Sequence, residues 1–208
     1  ATMTNPPALC TASAVFSTIL DIGYDEDYDI LVQPYFPSNS RSRNKLVDLS
    51  AEHRIDGFVT TPPCDADGFV ADLLTTYKVP VVQINPFNRT ETVPFVAGDD
   101  YQGAYALTEY LISLGHREIA FLTGPRNMRS SLDRFYGYRA ALDRHQVAFQ
   151  EQLIGNSEFT FDGGYTATRL LLGQDVRPTA VFAGNDEAAF GALFAAQEQG
   201  LRVPTQLS

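Results

Sequence analysis

Apolar residues fall along this chain in two rhythms: helical spacing over longer stretches, and short unbroken runs that end at glycine, proline or asparagine. Leu9, Ala12, Val15, Phe16, Ile19 and Leu20 recur at helical intervals and stop at Gly23, which predicts a first helix. Residues 28–32 then read as a buried strand closing at Gln33-Pro34, a polar Ser/Arg/Asn loop follows, and Leu46 and Leu49 mark a second helix. Residues 55–61 read as a clear strand with a stop at Pro62-Pro63. A third helix over 69–77 leads into a strand over 79–84. A short strand at 95–97 precedes the helix that Asp99-Asp100 opens and that runs to Leu114.

The second half repeats the scheme from a central stretch, Leu114-Gly115-His116-Arg117-Glu118-Ile119-Ala120-Phe121-Leu122-Thr123-Gly124-Pro125. Gly115 is able to take the left-handed conformation that stops a helix, and residues 119–122 read as a buried strand ending in a glycine-proline loop. Next come a helix over 130–145, a weaker strand over 152–159, a helix from Phe161-Asp162-Gly163-Gly164 to Leu172, and a strand over 178–183. Asn185-Asp186 caps a helix that ends at Gly200, after which residues 203–208 read as the approach to another strand. Strand and helix alternate throughout, so the fold class is α/β, with parallel sheets, helices on both faces and right-handed crossovers. Open sheets of this kind put ligands at the carboxyl ends of their strands, so a site should form on the loops there.

With 208 residues, 44% hydrophobic and 19% charged, the chain has room for one large domain or two small α/β lobes. No apolar run approaches the roughly 20 residues of a membrane helix, and the first residues do not read as a signal peptide. The net charge of -10 argues against this segment gripping a phosphate backbone itself, which needs a basic face. Cys10 and Cys64, far apart and without CxxC spacing, read as unpaired thiols in a reducing compartment. Both chain ends are expected to be incomplete: residues 1–7 start inside an element, with Asn5 before Pro6 and Pro7 as a helix start, and the last residues stop short of a strand.

No GxxxxGK[ST], GxGxxG after a strand, GxSxG or HExxH occurs, and no catalytic constellation assembles, so neither an enzyme nor a metal or cofactor is expected. His53, His116 and His145 stand near predicted helix ends, where an imidazole meets free carbonyls more often than a metal. The strand-end loops instead carry short polar groups beside proline or aromatic residues: Asn5-Pro6, Gln33-Pro34-Tyr35, Thr61-Pro62, Asn85-Pro86, Asp99-Asp100, Gly124-Pro125, Phe159-Thr160 and Asn185-Asp186. Converging on one place, they would offer amides, carboxylates and an aromatic platform to a polar ring such as a sugar. Taken singly, each Asn or Asp is equally explained as the cap of the helix it precedes.

Thr4-Asn5-Pro6, Arg54-Ile55-Asp56-Gly57-Phe58-Val59, Val79-Pro80-Val81-Val82, Asp99-Asp100 with Gly103-Ala104, the stretch Leu114 to Ala120, and Arg134-Phe135-Tyr136-Gly137-Tyr138 stand in a specific order and spacing. Arg177-Pro178-Thr179-Ala180-Val181-Phe182-Ala183-Gly184-Asn185-Asp186, with Gly200-Leu201-Arg202-Val203-Pro204, completes the series over nearly the whole chain. Together they resemble the effector-binding core of the lactose-repressor/galactose-repressor (LacI/GalR) family of bacterial transcription regulators. The resemblance implies a type I periplasmic-binding-protein-like fold of two Rossmann-like lobes, an N-terminal one over 1–115 and an incomplete C-terminal one over 116–208. It implies a small effector, a carbohydrate, bound in the cleft between lobes, and a cytoplasmic homodimeric repressor that responds allosterically. Operator DNA would be met only through a headpiece absent from this chain. A periplasmic sugar-binding protein of a transporter shares the fold and is the alternative; a signal peptide or a helix-turn-helix in the native gene separates the two.

Carried over position by position, the resemblance gives an effector-binding set of Met3, Asn5, Thr61, Asp99 and Asp100 in the first lobe and Ser130, Arg134, Phe159 and Asn185 in the second. Arg134 would donate a forked pair of hydrogen bonds to ligand hydroxyls or a carboxylate, and Phe159 would stack on a ring face. The alternative for Arg134 is a surface charge paired with Asp133 or another neighbour. Met128 stands where purine-binding relatives have an arginine, which points away from a purine. Family members carry one more effector-contacting aspartate on a strand past the position of Ser208. Phe190 falls where the family has an apolar dimer-interface residue, and Phe194 lies one turn further along that face; the alternative is a pair of core phenylalanines.

Overall fold

Residues with alternating or continuous apolar character form two short sheets in the computed structural model, which describes residues 9–36, 38–62 and 68–208, apart from the side chains of 9–12, 70 and 71. In one sheet β1 (Phe58–Thr60), β2 (Val81–Ile84) and β3 (Phe95–Val96) lie in the order β1-β2-β3, with Phe58 opposite Val81 and Gln83 opposite Phe95. In the other, β4 (Ile119–Thr123) is flanked by β5 (Ile154–Asn156) and β6 (Ala180–Ala183), with Phe121 opposite Ile154 on one side and Phe182 on the other. Every pairing is parallel, as strand–helix alternation requires. The helices are α1 (Leu9–Asp25), α2 (Ser40–Ala51), α3 (Phe69–Thr76), α4 (Asp100–Ser113), α5 (Arg129–Arg144), α6 (Phe161–Leu172) and α7 (Asp186–Glu198), and a single turn of 3-10 helix, Glu151–Leu153, leads into β5.

The chain forms two compact units, one of residues 29–99 with 127–130, the other of residues 100–126 and 131–208 with the described part of 1–28. The division falls ahead of α4, whereas the expected lobes divide after it at residue 115. Ala104 and Ile112 of α4 account for this, since they share a core with Ile119, Phe121, Tyr138 and Phe182. In the smaller unit Leu46 and Leu49 of α2 and Phe69 and Leu73 of α3 pack with Val81, and the Tyr35 ring stacks on Phe69 at 5.0 Å.

In the larger unit β4 is buried on both faces, which is why it reads as an unbroken apolar run. Ile119 and Phe121 face the α4/α5 side, while Ala120 and Leu122 meet Ala167, Leu171, Ala188 and Ala192 of α6 and α7. Tyr138 is buried beside Phe121 and donates its hydroxyl to the Ile119 carbonyl at 2.9 Å. Burial pushes its phenol well above the ordinary tyrosine range, so it remains a donor.

Several expectations fail locally. Residues 28–32 are not a strand and are exposed, Tyr28 at 64% and Leu31 at 60%; a strand exists only in a ladder, and neither described sheet includes them. The polar loop before Leu46 is largely helical instead, because the Asn39 side chain caps α2 by accepting the Arg41 N–H at 3.0 Å. α1 continues through Gly23 to Asp25. Gly115 and Gly200 do take positive φ, 96° and 74°, beyond the ends of α4 and α7. Ser208 donates to the Thr179 carbonyl and accepts from the Val181 N–H, the bonding of a parallel ladder beside β6. Two of the three histidines pair with side chains and not with helix-end carbonyls: His116 Nδ1 is 2.9 Å from Thr179 Oγ1 and His145 Nε2 is 2.8 Å from Glu109 Oε1. The side chains of Cys10 and Cys64 lie outside the described residues.

Candidate functional site

Strands β4, β5 and β6 all end on one edge of the larger sheet, and the loops leaving them carry Gly124, Phe159 and Gly184-Asn185 to that edge. The loop after β5 is shaped by Ser157, whose backbone N–H and hydroxyl both donate to the Thr123 carbonyl, at 2.9 and 2.8 Å, and whose hydroxyl accepts the Phe159 N–H at 3.3 Å. Glu158 and Phe159 turn through left-handed backbone, φ 49° and 56°, which swings the Phe159 ring inward to 3% exposure. The ring comes so close to the neighbouring loops that a Cβ on Gly124 would stand 2.2 Å from it and one on Gly184 2.7 Å. The Gly124 N–H in turn donates to Ser131 Oγ at 3.1 Å, fastening the β4 loop to the first turn of α5.

Arg134, from the next turn of α5, reaches into this arrangement. Its Nε donates to Asp100 Oδ1 at 2.9 Å and its Nη2 lies 2.8 Å from the same oxygen, while Nη1 donates to the Gly184 carbonyl. The guanidinium carbon is 5.7 Å from the centre of the Phe159 ring, within cation–π range. Asn185 closes the group: Nδ2 donates to the Phe159 carbonyl at 2.9 Å and Oδ1 caps α7 by accepting the Ala188 N–H at 3.0 Å. The side chains of Arg134 and Asp100 are 30% and 12% exposed, so this is a partly buried pair and not a surface one.

Of the expected set, then, Asp100, Arg134, Phe159 and Asn185 meet. Ser130 is half-buried four residues ahead of Arg134 on α5 and so lies on the same helix face. Thr61 and Asp99 are exposed, just past β1 and just ahead of α4, both in the smaller unit. Met3 and Asn5 lie outside the described residues. Arg134 is paired with Asp100 and not Asp133, and the pair is partly buried, unlike the surface charge of its alternative. The Phe159 ring is buried, with Arg134 over it and the Gly124 and Gly184 loops against it, so stacking on a ligand would require it to move. Gly124, Gly184, Ser131 and Ser157 complete the cluster without having been singled out as site residues. The glycines next to strand ends were the available signal.

The phenylalanines of α7 are not core residues: Phe190 is 63% and Phe194 51% exposed, and Phe194 lies 6.0 and 5.9 Å from the rings of Phe161 and Tyr165. Among the described residues no group of three or more His, Cys, Asp or Glu could hold a metal ion, and no helix is long and apolar enough to cross a membrane.

Residues 24–208 match the family profile of periplasmic binding proteins and the sugar binding domain of the LacI family. The HTH-type transcriptional repressor PurR of Escherichia coli is 31% identical over 172 residues, which are 82% of this chain and 50% of that protein. The chain thus spans about half the length of the curated relatives it matches. A regulatory protein of the LacI family from Chloroflexus aggregans superposes with a TM-score of 0.86 at 31% identity, over 100% of this chain and 74% of that one. A LacI family transcriptional regulator from Enterococcus faecium, solved with bound ribose, superposes with a TM-score of 0.80 at 27% identity, over 100% and 73%. With the profile covering all but its first residues, and an α/β fold shared with these regulators, the chain belongs to the family of periplasmic binding proteins and LacI sugar-binding domains.

Proposed function

We propose that this chain is the effector-binding core of a transcriptional repressor, taking a small carbohydrate at the Arg134 cluster and passing its binding on to a DNA-binding headpiece. The observation that carries the reading is the convergence of Arg134, Asp100, Phe159 and Asn185 at the carboxyl ends of parallel strands, in a chain of this family. The ribose in the Enterococcus faecium relative supports a sugar, and the matched helix-turn-helix repressors support regulation. Differential affinity of the effector for two conformations would be the allosteric lever. The net charge of -10 suits a protein whose contact with operator DNA is made by another part. Exposed Phe190 and Phe194 support a homodimer, and a repressor works in the cytoplasm. The transporter-protein alternative shares the family profile, and a signal peptide in the native gene would favour it.

A thermal-shift screen over mono- and disaccharides, with purine bases as the counter-set, tests the reading. A sugar at a hundred times its Kd should add about 2.7 kcal/mol of stability. Stabilisation by a purine with none by any sugar would overturn it.

A further inference from the structure

We infer that Asp100 acts as a charge filter on Arg134, so that the site takes uncharged polyhydroxylated ligands and turns away their carboxylated or phosphorylated counterparts. The inference rests on the reading of this cluster as the effector site. Of the two guanidinium edges that accept a carboxylate or phosphate in forked fashion, the side-on one is formed by Nε and Nη2 and the end-on one by Nη1 and Nη2, and the side-on edge is the one that lies against Asp100, through its Nε and Nη2. Here both of those atoms already bind Asp100 Oδ1, at 2.9 and 2.8 Å, and Nη1 is engaged by the Gly184 carbonyl oxygen. The Phe159 ring adds the negative face of its π system 5.7 Å from the guanidinium carbon. The cation is therefore met by a carboxylate, a carbonyl dipole and a ring quadrupole before any ligand arrives.

An incoming anion has two routes. It could evict Asp100, whose side chain is 12% exposed and would give up its cation, or it could bind the remaining N–H groups and sit beside a second negative charge on the same guanidinium. Both are unfavourable. A hydroxyl meets no such conflict, because it accepts and donates at once. Of the five guanidinium N–H groups three are committed, leaving one on each Nη, and Asp100 Oδ2 carries no hydrogen bond among the described residues. Neighbouring hydroxyls accepting from the free N–H groups and donating to Oδ2 would use the pair without breaking it.

The test is calorimetry of three matched pairs, D-glucose with D-glucuronate, D-galactose with D-galacturonate and D-ribose with D-ribose 5-phosphate, against the wild type, Asp100→Asn and Asp100→Ser, with circular dichroism to establish folding. Asparagine keeps an oxygen for Arg134 but removes the charge, and serine covers the case in which the amide variant fails to fold. The wild type should bind the neutral member of a recognised pair at least tenfold more tightly, and a folded Asp100 variant should shrink that preference at least tenfold. Equal or tighter wild-type binding of the anionic member, or a preference unchanged in the folded variants, overturns the filter while leaving the carbohydrate reading in place. Binding of no member of any pair removes the carbohydrate reading and the filter with it.

Discussion

Phe159 is held where it is by what its neighbours lack. A methyl on Gly124 would stand 2.2 Å from its ring, inside any permissible contact, and the ring, at 3% exposure, has nowhere adjacent to go. Gly124→Ala should therefore destabilise the fold by about 1–3 kcal/mol as an overpacking change, read as a lower urea midpoint at unchanged slope. Arg134→Ala should reduce effector affinity by about 2–4 kcal/mol through the loss of a charge-assisted contact. It should also lower stability, since Asp100 then keeps a partly buried charge with no cation. An unchanged Kd in calorimetry would remove Arg134 from the site. At this scale the sequence singled out Asp100, Arg134, Phe159 and Asn185, which the structure brings together, and was silent about how they meet. Arg134 and Asp100 are 34 residues apart, and no local periodicity reports a pairing across that distance. The left-handed turn at Glu158-Phe159 was equally hidden, because neither residue type favours it.

α7 divides cleanly into two faces. Its inner face is small, with Ala188, Ala192, Ala195 and Ala196 all buried, and it meets α6 so closely that a Cβ on Gly191 would lie 2.1 Å from the Phe161 carbonyl oxygen. A crossing this tight has no room for rings, which leaves Phe190 and Phe194 outside. Phe190→Asp should accordingly keep the fold, because the charge enters water, and should yield a monomer where the wild type is dimeric. Sedimentation equilibrium reads this, and a variant that stays dimeric would move the interface elsewhere. Elements with a strong internal pattern were legible: the apolar run of β4 and the capped starts of α6 and α7 lie close to where the pattern put them. Residues 28–32 failed because an apolar run specifies burial only if a partner strand stands beside it. α2 was read short because its first turns, Ser40 to Lys45, are polar and its start rests on the single cap Asn39.

Across the whole molecule the excess of acidic groups repels nucleic acid. A mobility-shift assay at low salt should show no retention of duplex DNA by this chain, and tight binding would require the regulator reading to be redrawn. The strand order of the larger sheet bears on something else, the time at which its core is able to exist. β4 is the middle strand, yet its neighbours arrive later in the chain, at Ile154–Asn156 and Ala180–Ala183, so both of its edges stay open while they are being made. Each closure brings together residues tens of positions apart, and such non-local pairing is slow to form because the loop entropy is lost before the contacts form. A chain cut after residue 178 lacks β6 and should leave the amides of Ala120 and Leu122, which turn to that side, open to hydrogen exchange, where the full chain protects them. During synthesis, then, a strand that ends up buried on both faces emerges well before the residues that shield it, and for that interval the nascent chain depends on delay, dilution or a chaperone to avoid pairing with its own copies.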